Sequence, residues 1–140
     1  MKTIKVDKFS QLIEVFASYK SNRRWIFRGQ SNPDWKLIPK VGRPPFDEID
    51  DKEFLDTWKR RALEFITVQP QDDWDWLAIA QHHGLATRLL DWTYNPLNAA
   101  FFAVHEYNDC NSVIYCYKPH LRAKIENTDP FDRNATALFK

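Results

Sequence analysis

Apolar spacing divides the chain into helical and strand-like stretches. Residues 8–19 carry Phe9, Leu12, Ile13 and Phe16 at helical spacing, and Asp7 stands where an N-cap belongs. RRWIFRG, 23–29, reads as a strand, QSNPD as a turn, and WKLIPKV as a short strand interrupted by Pro39. VGRPPFDEID is a loop. Residues 51–66 predict a helix with Phe54, Trp58, Leu63 and Ile66 inward. Residues 72–83 predict another, with acidic residues in the first turn where they suit the helix dipole, and Gly84 as its C′ stop. Pro96 starts a helix of small and aromatic residues, PLNAAFFAVHEY, running through Tyr107. NDCNS turns the chain, VIYCYK is a strand, and the remainder is polar and weakly patterned. The expected fold class is α+β: a single domain over 1–140 with a helix-rich middle and a small mixed or antiparallel sheet. Such a sheet normally has more strands than this pattern supplies, which leaves open whether the domain is complete.

Two places break the pattern. GLATRLLDWTYNP, 84–96, sets Arg88 and Asp91 among leucines, although a buried charge is tolerable only when paired and hydrogen-bonded. The economical expectation is an Arg88–Asp91 pair, or a network that includes Arg28, Thr87 and a Trp N–H. WIFRGQ, 25–30, ends an aromatic run on an arginine. A strand-borne guanidinium can grip a phosphate or carboxylate with two parallel hydrogen bonds. Gly29, lacking Cβ, lets a ligand or another backbone come close, and Gln30 adds an amide donor and acceptor. The plainer alternative pairs Arg28 internally and uses Gly29 for a turn. His82 and His83 close the helix before Gly84, as caps, as hydrogen-bond donors or as a general base. Adjacent histidines point to different helix faces, so no metal site is expected. With three glycines in the chain, a glycine-rich phosphate cradle is excluded.

Composition narrows the partners. Of 140 residues, 44% are hydrophobic and 15% aromatic, which argues for a packed core. A net charge of +1 gives no general grip on nucleic acid or membrane. Arg23, Arg24 and Arg28 form a local basic cluster, while Lys59, Arg60 and Arg61 lie beside Asp56 and Glu64 on a solvated face. Two cysteines, Cys110 and Cys116, make no disulfide scaffold. No run approaches a membrane span and the N-terminus lacks a signal peptide's apolar core, so a cytoplasmic protein is the expectation.

FRGQ at 27–30, followed by QHHGLATRLLDWTYNPLNAAFFA at 81–103, resembles the FRG domain family, named for its Phe-Arg-Gly motif. Both blocks, their order and their separation match, over roughly 20–118. The resemblance implies a domain of bacterial or phage settings, including phage-defence or toxin-like systems, with no single reaction attached. A looser similarity links the strand-borne Arg-Gly to one class of ADP-ribosyltransferases, whose arginine contacts the NAD phosphates. That similarity implies NAD as cofactor, with Arg28 at its phosphates and Thr87 and Arg88, or Asp91 and Thr93, near the nicotinamide. Taken with the reading of the residues themselves, the candidate site has Arg28, Gly29, Gln30, His82, Thr87 and Arg88 as ligand-binding residues and Asp91 and His83 as catalytic ones. The chain departs from it in having no clear Ser-Thr-Ser and no late strand-borne glutamate, since Glu126 lies in a polar stretch. Two readings therefore stand. One is a nucleotide- or NAD-type pocket with transferase-like chemistry. The other is a non-catalytic module that binds a protein partner through surface aromatics such as Trp35 or Trp74, its charges being structural.

Overall fold

A helix whose inner face is all alanine can approach a strand that carries a glycine, and this contact organises one part of the fold. The computed structural model describes residues 2–19, 25–106, 111–119 and 128–132. Among them are four helices and two strands in the order α1 (Phe9–Tyr19), β1 (Ile26–Gln30), α2 (Asp51–Ala62), α3 (Asp73–His82), α4 (Pro96–Val104) and β2 (Val113–Tyr117), an α+β arrangement. The chain divides into two compact units: Met1–Lys36 with Asp91–Leu121, and Leu37–Leu90 with Arg122–Lys140.

In the first unit β1 and β2 pair antiparallel, with Phe27 opposite Cys116, Arg28 opposite Tyr115 and Gly29 opposite Ile114. Because directly opposed residues share a face, Phe27, Gly29, Ile114 and Cys116 lie on one side, and Ile26, Arg28, Gln30, Tyr115 and Tyr117 on the other. On the first face Phe27 meets the rings of Phe16 and Tyr19 from α1, with centroids 5.9 and 6.2 Å away. There α4 packs against β1. A Cβ on Gly29 would run into the carbonyl oxygen of Ala99 and stand 2.7 Å from the nitrogen of Ala103. Both alanines are fully buried and sit one helical turn apart. Phe27 also bonds Thr93 in both directions, N to O at 2.7 Å and O to N at 2.9 Å, so the stretch before α4 forms a short bridge to β1. Asn95 caps α4 by accepting from the Leu97 N–H at 3.0 Å, with Pro96 at the first helical position.

The second unit centres on Leu55, Leu77 and Ala80, with Trp58, Trp76, Leu85, Leu89 and Phe131 packed around them. Asp50 caps α2 by accepting from the N–H groups of Lys52 and Glu53, and Asp72 caps α3 through Asp75. The Lys59 Nζ joins the two helices, 2.5 Å from Asp73 and 3.3 Å from Asp56. Burial works to lower the pKa of Lys59, but the hydrogen bonds and charges of Asp73 and Asp56 outweigh it and hold the ammonium above its ordinary value. Gly84 takes φ +89°, the left-handed geometry of a helix stop.

Several expectations change. WKLIPKV forms no strand: Pro39 has no N–H for a ladder, and Lys40–Gly42 coil into a 3-10 turn, with Val41 donating to the Thr87 carbonyl at 3.2 Å. Asp7 does not cap α1. Instead the Gln11 side chain reaches back to the N–H groups of Asp7 and Lys8. On α1, Phe16 is buried but Phe9 and Ile13 are exposed. Helix α2 ends at Ala62 rather than 66, where the chain tightens into turns that leave Leu63 and Phe65 outside, and its buried apolar residues are Leu55 and Ala62. Helix α4 ends at Val104, and Tyr107 lies outside the described residues, as do Arg23, Arg24, Cys110 and Glu126.

Candidate functional site

The two motif arginines are held differently. In the first unit, β1 carries Arg28 on the face that faces away from α4, and its Nη1 donates to the Asp91 main-chain carbonyl at 2.7 Å. Gln30, two residues along on the same face, is 4% exposed and donates from Nε2 to the Trp35 carbonyl at 3.0 Å. That bond fixes the amide's orientation, and the buried Oε1 is left without a hydrogen-bond partner. Tyr115 stands opposite Arg28, and Tyr117 packs against Trp92 with ring centroids 6.0 Å apart. Burial pushes the Cys116 thiol up from its ordinary pKa, which leaves it a poor nucleophile.

In the second unit all three guanidinium nitrogens of Arg88 are engaged. Nε and Nη2 donate to the two oxygens of Asp51, at 2.6 and 2.5 Å, the fork-to-fork geometry that suits arginine and carboxylate. Nη1 donates to the Pro130 carbonyl at 2.8 Å, and the guanidinium lies over the Phe131 ring, 4.3 Å from its centroid. Thr87, 1% exposed, donates its hydroxyl to Gln81 Oε1 and accepts from the Leu89 N–H at 3.2 Å. The expected Arg88–Asp91 pair is therefore replaced by Arg88–Asp51, because the first turn of α2 offers a carboxylate whose two oxygens match the fork.

His82 ends α3 and His83 follows it as the C-cap, donating its N–H to the Ile79 carbonyl at 3.1 Å. Both are exposed; their rings are 5.6 Å apart, and that of His83 is 6.1 Å from Trp58. Among the described residues no group of three or more His, Cys, Asp or Glu could hold a metal. Trp74, expected as a surface aromatic, is half-buried and donates its indole N–H to the Thr128 carbonyl at 2.8 Å. Trp35 is exposed.

The sequence model of the FRG domain matches residues 23–112, nearly two-thirds of the chain. The chain belongs to the FRG domain family. Comparison with curated proteins and with solved structures returned no match. The Phe-Arg-Gly that names this FRG domain is accordingly a set of three contacts: Phe27 packs on α1, Arg28 bonds the Asp91 carbonyl, and Gly29 admits α4. The predicted site residues divide between the units, with Arg28, Gly29, Gln30 and Asp91 in the first and His82, His83, Thr87 and Arg88 in the second. Sequence reasoning missed Asp51 and the Pro130–Phe131 pair as partners of Arg88. Asp51 sits 37 residues away in an acidic helix start that has a local explanation of its own. An apolar Pro-Phe inside a polar tail was the available signal for the second.

Proposed function

We propose that this FRG domain is a non-catalytic binding module whose motif charges hold its shape. The observation that carries the reading is the engagement of Arg88. A guanidinium bound bidentately to Asp51, bonded to Pro130 and stacked on Phe131 is committed to groups of its own chain and is not open to a nucleotide phosphate. The outer face of α4 supports the same reading from the other unit. Leu97, Phe101, Phe102 and Val104 are all about half exposed or more, and the rings of Phe101, Phe102 and His105 lie within 5.7 Å of one another. Contiguous exposed apolar surface of this kind is typical of interaction sites. Changing Phe101 and Phe102 together to serine is expected to leave the melting temperature nearly unchanged, as surface substitutions do. A large loss of stability would make that face part of the core and remove its support.

A second reading keeps a ligand in the first unit, on the buried, unsatisfied Gln30 Oε1 beside Arg28 and the tyrosines of β2. An acceptor oxygen, a guanidinium and aromatic rings are the groups that hold a nucleotide such as NAD. With transferase-like chemistry, Arg28 would clamp the pyrophosphate and the Asp91 carboxylate would stabilise the cationic sugar as nicotinamide leaves. Calorimetric titration with NAD, and with ATP for comparison, separates the readings. The module reading expects no binding. Binding that disappears in an Arg28→Ala variant shown to be folded by circular dichroism would replace it with the nucleotide reading.

A further inference from the structure

The second unit holds a short stretch of its own chain in the way a recognition domain holds a peptide. Residues 128–132, Thr-Asp-Pro-Phe-Asp, belong to no helix or strand. They fold on themselves: Asp129 Oδ1 accepts from the Phe131 N–H at 2.7 Å, and the Asp129 carbonyl accepts from the Asp132 N–H at 3.1 Å. An aspartate side chain closing on the backbone two residues ahead makes a turn from local residues alone. Three features of the unit then grip this turn. The Trp74 indole donates to the Thr128 carbonyl, Arg88 donates to the Pro130 carbonyl, and Phe131 packs onto the Leu55–Leu77–Ala80 core with Arg88 across its ring. Lys52 lies 5.7 Å from the same ring, so two cations flank a segment that carries two aspartates.

We propose that Trp74, Arg88 and the seat of Phe131 form a peptide-recognition site for acidic turns of the Asp-Pro-Phe type, occupied in this chain by its own residues 128–132. Two bonds to main-chain carbonyls fix the position of the turn without reading its sequence, and the phenylalanine seat and the guanidinium stack supply the reading. A turn that is formed before binding loses little conformational freedom when it binds, which favours recognition of the same motif from another chain. Asp51 serves the site by positioning Arg88, since its carboxylate holds the fork so that Nη1 faces the Pro130 carbonyl. Such recognition goes beyond the binding-module reading, and either can fail without the other.

The test uses the full chain carrying Phe131→Ala, which empties the seat, and a fluorescent nonapeptide of residues 126–134, ENTDPFDRN. Fluorescence anisotropy is expected to show binding to the variant, and peptide addition is expected to raise the variant's melting temperature. Binding to the wild type is expected to be at least about tenfold weaker, because the tethered segment competes at an effective concentration near millimolar. A peptide with Ala in place of Phe should lose the binding. A folded Phe131→Ala protein that binds no peptide up to about 1 mM, the scale of that tethered competition, would overturn the proposal. Should the variant not fold, hydrogen exchange of the wild-type Trp74 indole N–H decides. Exchange faster than that of the core amides of α3 shows the segment releasing by itself, as the proposal requires. Exchange only on global unfolding makes it an inseparable part of the fold and sinks the idea.

Discussion

Arg28 and Arg88 are the same residue type in similarly apolar company, and the chain handles them in different ways. Arg88 faces a carboxylate, meets both of its oxygens and is covered by an aromatic ring. Arg28 meets the main-chain carbonyl of Asp91, beside a glutamine with an acceptor oxygen still unsatisfied. The first arrangement resembles a structural tie. The second leaves polar capacity next to the charge, which is why the nucleotide reading attaches to the first unit. The buried polar residues among those described, Gln30, Ser31 and Thr87, all lie within a few positions of one arginine or the other. Polar burial among the described residues is thus concentrated at the two motifs.

The comparison can be broken at its glycines first. Gly29→Ala is expected to have the largest effect, about 3 kcal/mol or more, because the new Cβ would meet the backbone of α4 and no side chain can move aside. Gly84→Ala meets no atom within 4 Å and is strained only by its positive φ, so roughly 1–2 kcal/mol is expected. Urea unfolding of both variants ranks them, and a Gly29→Ala protein as stable as Gly84→Ala would mean that α4 does not sit against β1 as described. Next comes Asp51. Asp51→Asn should cost about 1.5–3 kcal/mol, the range for hydrogen bonds to charged groups. Urea unfolding measures the Asp51→Asn loss, and a loss under about 0.5 kcal/mol, the size of an ordinary surface substitution, would mean that Asp51 does not hold Arg88 as described.

How much of this was legible follows from the range of each signal. The four helices among the described residues were readable because their cues are local: apolar spacing, Pro96 at a helix start, Gly84 at a stop. The two strands were readable as aromatic and β-branched runs. The false strand at WKLIPKV arose from reading Trp35, Leu37, Ile38 and Val41 as a run when Pro39 had already removed a ladder donor. Exposure of Phe9 and Ile13 was not readable, because periodicity identifies a face without saying what covers it. The motifs were visible as anomalies, and the need for a partner to Arg88 followed from electrostatics. The partner's identity did not, since nothing near residue 88 marks Asp51, and the nearer Asp91 was the economical choice.

Smaller effects sharpen the same comparison. Asn95→Ala in the first unit and Asp50→Ala in the second each remove a helix cap and should each cost about 1 kcal/mol in thermal unfolding. A much larger loss at one of them would mark that helix as the weaker support of its unit. Smallest is the Lys59 tie, where Lys59→Met should cost under about 1 kcal/mol at neutral pH, since the pair is partly exposed. The pKa of Lys59 is raised in the folded protein, so its contribution is complete below the ordinary lysine pKa and fades as pH rises through the folded value. Melting curves of wild type and variant should therefore converge in alkaline solution. A gap that widened there would reverse the assigned direction.

The contact between Gly29 and α4 also bears on the order in which the chain can take shape as it is made. β1 is synthesised early, but Thr93, the alanines of α4 and its partner strand β2 all come after the residues of the second unit from Leu37 to Leu90. During synthesis β1 must wait, with an aromatic run and open strand edges, while that intervening stretch emerges. Long-range closures of this kind are slow, and waiting strands are prone to aggregate. A five-residue strand that carries an arginine and a glycine is a poor template for other strands during that wait.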